Sequence, residues 1–272
     1  MTAYDPVPRP NIRAFFQPDP GWIIVDADLS GADAAVVAWE TNDAELKSSF
    51  RTGDSLHNST ATGFWGDRYV SAPGDTNNKR TPKGALYAQI KGATHGTNYG
   101  AGGRTIARSQ GWPDAEGQRF RDFWYRAHPG VQDWHKRVEH ALYTTRRIAN
   151  PFGYRIIYFD RLNGLLPEAL AWIPQSTVAL CTKFGANAVD DAFNPERDHN
   201  GVPIAGHPAN KVTWLLQVHD SVVFQIREAD RALLPTIAKT LEIPIPYPDP
   251  LTIQWKLGLS TKSWGECEPL TA

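Results

Sequence analysis

Residues 21–46 read GWIIVDADLSGADAAVVAWETNDAEL and join a short apolar run, two aspartates and a helix-forming segment. The run Trp22–Val25 is rich in β-branched residues and predicts a buried strand. Asp26 and Asp28 follow two residues apart, so both side chains leave the strand on the same face. From Asp33 onward the sequence favours a helix, which the aspartates can cap. The alternative is an aspartate that binds a metal ion together with a second carboxylate from elsewhere in the chain.

The composition limits the class of protein. The chain has 272 residues and 41% hydrophobic residues, which suffices for a substantial core in one or two domains. No apolar run approaches the length of about 18 residues that a membrane-spanning helix needs, and the first residues lack the apolar stretch of a signal peptide. Cys181 and Cys267 lie far apart without metal-ligand spacing, which indicates free thiols in a reducing compartment. We therefore expect a cytoplasmic location and no membrane partner.

A net charge of −1 conceals an uneven distribution of charge. Residues 76–113 contain no Asp or Glu. Their basic side chains are Lys79, Arg80, Lys83, Lys91, Arg104 and Arg108. Such a block is often only a solvated face, but Tyr87, His95 and Tyr99 lie among these residues. Basic and aromatic side chains in this combination favour contacts with phosphates and stacked bases.

A helix and a hairpin are the clearest further elements. The segment from Pro82 to Gly96 predicts a helix with proline in its first turn. If that helix continues, Lys91, His95 and Tyr99 fall at i, i+4 and i+8 on one face. The runs 214–218 and 222–226 predict a β-hairpin, and residues 251–257 predict a closing strand. The hairpin tip carries His219, Asp220 and Ser221.

Asp28 and Asp220 are two strand-borne carboxylates that lie about two hundred residues apart in the chain. Oxygen-only ligation suits Mg²⁺, which keeps water and substrate phosphates as its other ligands. Two such ions activate an attacking hydroxyl and stabilise an in-line transition state, so phosphoryl or nucleotidyl transfer fits best. Lys91 adds a positive charge for a triphosphate. Each feature also has a structural interpretation, because a His–Asp pair at a hairpin tip often serves the fold and helix lysines usually face solvent.

The order of these segments resembles the polymerase module of family A DNA polymerases, the DNA polymerase I type, over nearly the whole chain. Residues 28–33, DLSGAD, resemble the first motif of the family, D-Y-S-Q-I-E. Residues 91–100, KGATHGTNYG, resemble the second motif, K-x-x-x-[FY]-G-x-x-Y-G. Residues 216–221, LQVHDS, resemble the third motif, L-Q-V-H-D-E. Shorter agreements lie at residues 54–57, 150–153, 174–175 and 255–264.

The resemblance implies an α/β (α+β) fold. Residues 1–42 and 166–272 would form a polymerase palm with an antiparallel sheet, and residues 43–165 a helical fingers insertion. Because only 27 residues precede Asp28, we expect neither a thumb nor an exonuclease domain in this chain. The expectation is a compact or split polymerase of the kind a virus encodes, with low processivity. The expected partners are template-primer DNA, dNTPs and a separate protein that supplies the thumb, clamp or exonuclease.

The resemblance also implies roles for individual residues. Asp28, Asp220 and the backbone carbonyl of Leu29 would bind two Mg²⁺ ions, with Mn²⁺ as a substitute. Lys91 would act in catalysis by contacting the nucleotide phosphates. The other implied nucleotide contacts are His57, Tyr87, His95, Tyr99 and Asp33, and the implied DNA contacts are Gln175, His219, Tyr99 and Arg104. Asp33 stands where the family has a glutamate that excludes the ribose 2′-OH.

Besides Asp33, three more departures from the family pattern bear on the implied chemistry. Tyr87 replaces an arginine four residues before Lys91, so a bidentate phosphate clamp is missing. The candidates to replace that clamp are Arg80 and Lys83. His95 replaces the usual Phe or Tyr that packs on the nucleotide sugar. Ser221 replaces the glutamate after the catalytic aspartate.

Two of these departures, Tyr87 and Ser221, motivate a rival hypothesis. In it the chain is a non-catalytic replication subunit or a DNA-binding factor that keeps the palm fold. A third hypothesis, a metal-dependent phosphohydrolase based on His219 and Asp220, is disfavoured because the sequence lacks a convincing set of several histidine ligands.

Overall fold

The computed structural model describes residues 11–159 and 161–270. Its strands are β1 (Trp22–Leu29), β2 (Arg147–Ala149), β3 (Arg155–Ile157), β4 (Val212–Val218), β5 (Ser221–Arg227), β6 (Trp255–Ser260) and β7 (Glu268–Pro269). Its α-helices are α1 (Ala32–Glu40), α2 (Ala44–Thr52), α3 (Leu56–Trp65), α4 (Asp67–Val70), α5 (Pro82–Asn98), α6 (Gly103–Gln110), α7 (Asp114–Ala127), α8 (Pro129–Thr145), α9 (Leu166–Phe193) and α10 (Leu234–Leu241).

The chain divides into two compact units. The sheet unit takes the described residues up to Ser30, then Ala179–Ile245, and the described residues from Thr252 onward. The helical unit takes Gly31–Val178 and Pro246–Leu251, and helix α9 contributes to both units. These limits differ from the palm limits at residues 42 and 166 that the resemblance implies. The assignment of palm and fingers therefore stays a prediction.

A five-stranded sheet in the order β4-β5-β1-β6-β7 forms the sheet unit, and its pairs are antiparallel. The predicted antiparallel sheet is thus confirmed, with the predicted hairpin as β4 and β5. β1 lies at the centre, and its alternate residues Ile23, Val25, Ala27 and Leu29 are buried on one face. On the other face Ile24 packs in a cluster with Val223 and Trp264. Burial on both sides holds β1 firmly in the middle of the sheet.

The closing strand begins later than the sequence predicts. The prediction spans residues 251–257, whereas β6 begins at Trp255. Leu251 and Ile253 are buried and alternate with exposed neighbours, which is the pattern that suggested a strand. Pairing sets the true start, because β1 ends at Leu29 and Leu29 lies opposite Trp255.

The helical unit fixes the end of helix α5 from two sides. The Trp124 indole N–H donates to the Asn98 side-chain oxygen at 2.9 Å, and His135 Nε2 contacts the Asn98 carbonyl oxygen at 2.7 Å. Trp124, Trp134 and Leu142 are fully buried in the helices that follow. The last turn of α5 is therefore held by the core of its own unit. Among the described residues, no helix is both long and apolar enough to cross a membrane.

Both cysteines are free thiols, as the sequence predicts. Burial raises the pKa of the Cys181 thiol to about 12. Burial, followed by the Asp26 charge, raises the pKa of the Cys267 thiol to about 11. Both thiols are therefore protonated at neutral pH and are poor nucleophiles.

Candidate active site

The pairing of β1 with β5 brings the two predicted catalytic aspartates to one end of the sheet. Asp28 lies opposite Ser221, the residue that follows Asp220. The Leu29 N–H donates to the Asp220 carbonyl oxygen at 3.2 Å, so Leu29 and Asp220 form a hydrogen-bonded pair. Asp28 and Ser221 are then the adjacent non-hydrogen-bonded pair, in which side chains lie closest. Asp28, near the end of β1, and Asp220, in the turn directly before β5, therefore lie at neighbouring positions.

A two-residue turn presents Asp220. His219 and Asp220 connect β4 to β5, and Val218 lies opposite Ser221. His219 has a φ of 54°, which is unusual for a residue with a side chain and matches the positive φ that tight hairpin turns require. The Ser221 hydroxyl donates to the Val218 carbonyl oxygen at 3.0 Å and closes the turn. The short turn holds Asp220 directly beside the end of β1.

Asp26 and Asp28 share a face of β1 but have different surroundings. The Trp264 indole N–H donates to Asp26 Oδ2 at 2.8 Å. The Arg13 guanidinium lies 3.9 Å from the same oxygen and 4.4 Å from the centre of the Trp264 ring. Asp28, in contrast, is exposed at the end of the strand. Asp26 thus links the segments that carry Arg13 and Trp264 to the sheet. The exposed position of Asp28 suits a residue that binds a metal ion.

The donor set at this end of the sheet fits Mg²⁺. Asp28 and Asp220 contribute carboxylates. The N–H and C=O groups of a strand residue point to the same side, and the Leu29 N–H bonds to Asp220, so the Leu29 carbonyl oxygen also faces Asp220. In the described parts of the chain, no three or more His, Cys, Asp and Glu residues are grouped so that they could hold a metal ion. Two carboxylates are nevertheless the share that proteins commonly supply to Mg²⁺ when substrate phosphates complete its shell.

In the helical unit, Ser55 positions His57. Ser55 is the N-cap of α3, and its side chain accepts the Asn58 N–H at 3.3 Å. His57 follows in the first turn, and its ring meets the Tyr87 ring edge-on at 5.7 Å. Its Nδ1 is buried without a hydrogen-bond partner. An unpaired buried N–H is costly, so the proton belongs on Nε2.

His57 is neutral at physiological pH. Burial, assisted by the Lys91 and His95 charges, lowers the pKa of His57 from 6.5 to about 4. The side chain is therefore suited to donate one neutral Nε2–H hydrogen bond rather than to supply a positive charge. Lys91, which is exposed on α5, is the nearby cation.

Asp33, His95 and Tyr99 form a second contact set in the same unit. The Tyr99 hydroxyl donates to Asp33 Oδ2 at 3.0 Å. The His95 and Tyr99 rings lie edge to face with centres 4.4 Å apart. Burial, followed by the Asp33 carboxylate, raises the pKa of Tyr99, so its hydroxyl keeps the proton that it donates. Asp33 reaches Tyr99 although its side chain is one methylene shorter than glutamate.

The remaining predicted residues lie in other surroundings. The Lys83 ammonium sits 5.4 Å from the centre of the Tyr69 ring, which engages one of the two candidates for the missing phosphate clamp. Arg104 is 88% exposed and lies 3.5 Å from Asp114. Gln175 is exposed on α9, directly after Pro174.

The comparisons with known proteins agree with these motifs. The family model described as DNA polymerase family A matches residues 7–266. The chain belongs to this family. A DNA polymerase I of Synechocystis is 24% identical over 95% of the chain, and a DNA polymerase of Mycobacterium phage D29 is 27% identical over 54%. The chain spans only 26% and 22% of the lengths of these two relatives.

A solved structure shares the fold. The POL domain of Pol1 from M. smegmatis, in complex with DNA primer-template and dNTP, matches 93% of the chain with a TM-score of 0.73 and 23% identity. The chain covers 42% of that structure. Likeness at this level of identity shows that this family A chain shares the fold of that domain.

Lys256 lies near the candidate metal ligands and was not predicted from the sequence as a site residue. Lys256 lies directly opposite Asp28 on β6. The alternation around residue 256 was visible in the sequence, but the strand was placed four residues too early and its pairing with β1 was not predicted. The sequence therefore did not predict that Lys256 lies opposite Asp28.

The low pKa of His57 predicts a specific pH dependence of stability. In the unfolded state His57 becomes protonated as the pH falls through about 6.5, whereas in the folded state it becomes protonated only near pH 4. The free energy of unfolding should therefore fall across this window, with a share from His57 on the order of 1 kcal/mol. Urea unfolding at pH 7.5 and pH 5.0 measures the loss.

His57→Gln is the matched variant for this measurement. It removes the imidazole, while His95 and His135, whose pKa values are also lowered, remain in both proteins. The variant should lose less stability than the wild type between the two pH values. An equal loss in the two proteins contradicts the assignment of a buried neutral imidazole.

Proposed function

We propose that this chain is a template-directed DNA polymerase that transfers a nucleotidyl group from a dNTP to a primer 3′-OH. The carrying observation is that Asp28, at the end of β1, and Asp220, in the turn before the paired strand β5, lie side by side within motifs that follow the family order. Support comes from family membership and from relatives named DNA polymerase. The M. smegmatis domain, which binds primer-template and dNTP, adds the fold.

In the proposed mechanism the sheet unit holds the metal ions. The carboxylates of Asp28 and Asp220 and the Leu29 carbonyl would bind two Mg²⁺ ions, with Mn²⁺ as a substitute. Bound ions of this kind lower the pKa of an attacking hydroxyl and stabilise the in-line transition state. The primer 3′-OH gives up its proton to solvent water, its oxygen forms a bond to the α-phosphorus of the dNTP, and the bond to pyrophosphate breaks. His219, whose turn presents Asp220, would contact the end of the primer.

The helical unit is assigned to the nucleotide. Lys91 would place its ammonium on the triphosphate, and His57 would donate its Nε2–H to a phosphate oxygen. Tyr87 would offer a hydroxyl in place of the arginine of the family pattern. His95 would pack on the sugar. Gln175 and Arg104, both exposed, would contact the template-primer.

Asp33 and Tyr99 together are proposed as the ribose gate. The hydrogen bond between them, at 3.0 Å, holds the shorter carboxylate in a fixed direction. A fixed carboxylate rejects a 2′-OH both by its volume and by its own hydrogen-bonding demand. The tyrosine ring would also stack beside the insertion site.

Two observations favour the alternative, a DNA-binding protein without catalytic activity. The Ser221 hydroxyl, in place of a glutamate, bonds to the backbone of its own turn. Lys83, one candidate to replace the missing arginine, is engaged by Tyr69. A chain in which both charges are lost would bind DNA without catalysing synthesis, and the activity assay below distinguishes the two functions.

Primer extension with Mg²⁺ or Mn²⁺ on DNA templates tests the proposal. We expect the full chain to extend the primer, and Asp28→Asn or Asp220→Asn to lose at least about a hundredfold in rate, because each removes a ligand of the metal ions. Asp191→Asn is the matched control, since Asp191 is 80% exposed in the same unit and pairs with Arg197. Gel analysis of product length also reports processivity.

The same assay includes the result that would contradict polymerase activity. Wild-type protein that gives no extension on any template, under either metal and with added clamp or thumb proteins, supports the DNA-binding alternative. Extension that is equal in wild type and Asp220→Asn rejects the assignment of the metal ligands. Circular dichroism of each variant confirms that it is folded.

Substitution of Asp33 tests the ribose gate. Asp33→Ala removes the carboxylate and its hydrogen bond with Tyr99, so the preference for dNTP over NTP should fall at least about tenfold. Tyr99→Phe keeps the ring but removes the hydrogen bond, and it should give a smaller loss. Single-nucleotide insertion kinetics with matched dNTP and NTP measure the ratio. An unchanged ratio in Asp33→Ala would reject this role.

A further inference from the structure

Lys256 is the cross-strand neighbour of the proposed metal ligand Asp28. The Ser30 N–H donates to the Gln254 carbonyl oxygen at 3.0 Å, which marks Ser30 and Gln254 as a hydrogen-bonded pair. Asp28 and Lys256, two residues further along, are therefore a pair of the same kind. In such a pair the Cα atoms are about 5.5 Å apart, and both side chains leave on the same face of the sheet.

The surroundings of Lys256 connect its charge to Asp28 rather than to Asp26. The next residue of β6 on this face is Gly258, which lies opposite Asp26. Asp26 already receives the Trp264 indole N–H and has Arg13 nearby. Lys256 itself is exposed. The acidic residue directly opposite Lys256 in the register of the sheet is Asp28.

Asp28 thus stands in a row of three residues across three strands, with Ser221 on one side and Lys256 on the other. The family motif places a glutamate where this chain has Ser221. The row therefore carries one negative and one positive charge. A cation a few ångströms from a bound divalent ion weakens its binding even in a largely aqueous setting.

We propose that Lys256 is a built-in counter-ion of Asp28 that weakens metal binding at the Asp28–Asp220 pair until a nucleotide triphosphate adds its own negative charge. The inference rests on the proposed function of that pair. Without nucleotide, a metal ion must compete with the Lys256 ammonium for Asp28. With nucleotide, the phosphates offset the lysine charge and supply further oxygen ligands. Metal loading is then coupled to nucleotide binding.

Binding of Mn²⁺ to the full chain without nucleotide tests this role, with water-proton relaxation at 0.1 M salt as the readout. Lys256→Gln should bind Mn²⁺ about three- to tenfold more tightly than the wild type, because one positive charge near the ion is removed. Lys256→Arg keeps the charge and should resemble the wild type. The gain in Lys256→Gln should shrink at high salt, which screens exposed charges.

Lys262→Gln is the matched control. It removes the same charge from an exposed lysine beyond the opposite end of β6, near Glu266. The end of β6 lies four residues, or about 13 Å, from Lys256, which exceeds the Debye length of about 10 Å at 0.1 M salt. This variant should bind Mn²⁺ as the wild type does. An equal gain in both variants would overturn the specific role of Lys256.

Asp28→Asn separates failure of this inference from failure of the proposed function. If Asp28→Asn weakens Mn²⁺ binding while Lys256→Gln stays within twofold of the wild type, the counter-ion role is overturned and the metal site stands. If Asp28→Asn leaves Mn²⁺ binding unchanged, the metal site itself is rejected, and the role of Lys256 is rejected with it.

Discussion

Antiparallel pairing of β1 with β5 is the constraint on which the proposed chemistry depends. It brings together two aspartates that lie about two hundred residues apart in the chain. The alternation of buried residues along β1 enforces this pairing, because a slip of one residue would move Ile23 and Val25 to the opposite face and Asp28 into the core. Hydrophobic burial therefore sets the position of the carboxylates, and the two-residue turn at His219 completes the arrangement.

Two departures from the family motifs, Tyr87 and Ser221, each replace a charged residue with a neutral one. In the proposed nucleotide site, Tyr87 stands in place of an arginine and His57 is neutral, so fewer positive charges would face the phosphates. In the proposed metal site, Ser221 stands in place of a glutamate and Lys256 lies opposite Asp28, so less negative charge would face the cations. Weaker attraction for either ligand alone would make the proposed binding of metal depend more strongly on the proposed binding of nucleotide.

Local patterns in the sequence predicted much of this arrangement, but they did not predict which residues lie opposite each other on paired strands. The apolar run before Asp28 predicted the strand, the two apolar runs on either side of His219, Asp220 and Ser221 predicted the hairpin, and the motif resemblance selected Asp28 over Asp26. The partners of Asp26, Trp264 and Arg13, follow from tertiary packing between distant segments. Lys256 escaped because a strand pattern does not state which residue of a neighbouring strand it faces. The stacking of Lys83 on Tyr69 was hidden for the same reason.

The central claim is that Asp28 and Asp220 hold cations at one site. Localised cleavage tests it most directly. Fe²⁺ bound in place of Mg²⁺ generates hydroxyl radicals in the presence of ascorbate and peroxide, and these radicals cut the backbone close to the ion. We expect cuts near both residue 28 and residue 220, suppressed by excess Mg²⁺ and lost in Asp28→Asn and in Asp220→Asn. Cleavage at only one of these segments, or cleavage that both variants retain, would contradict the shared site.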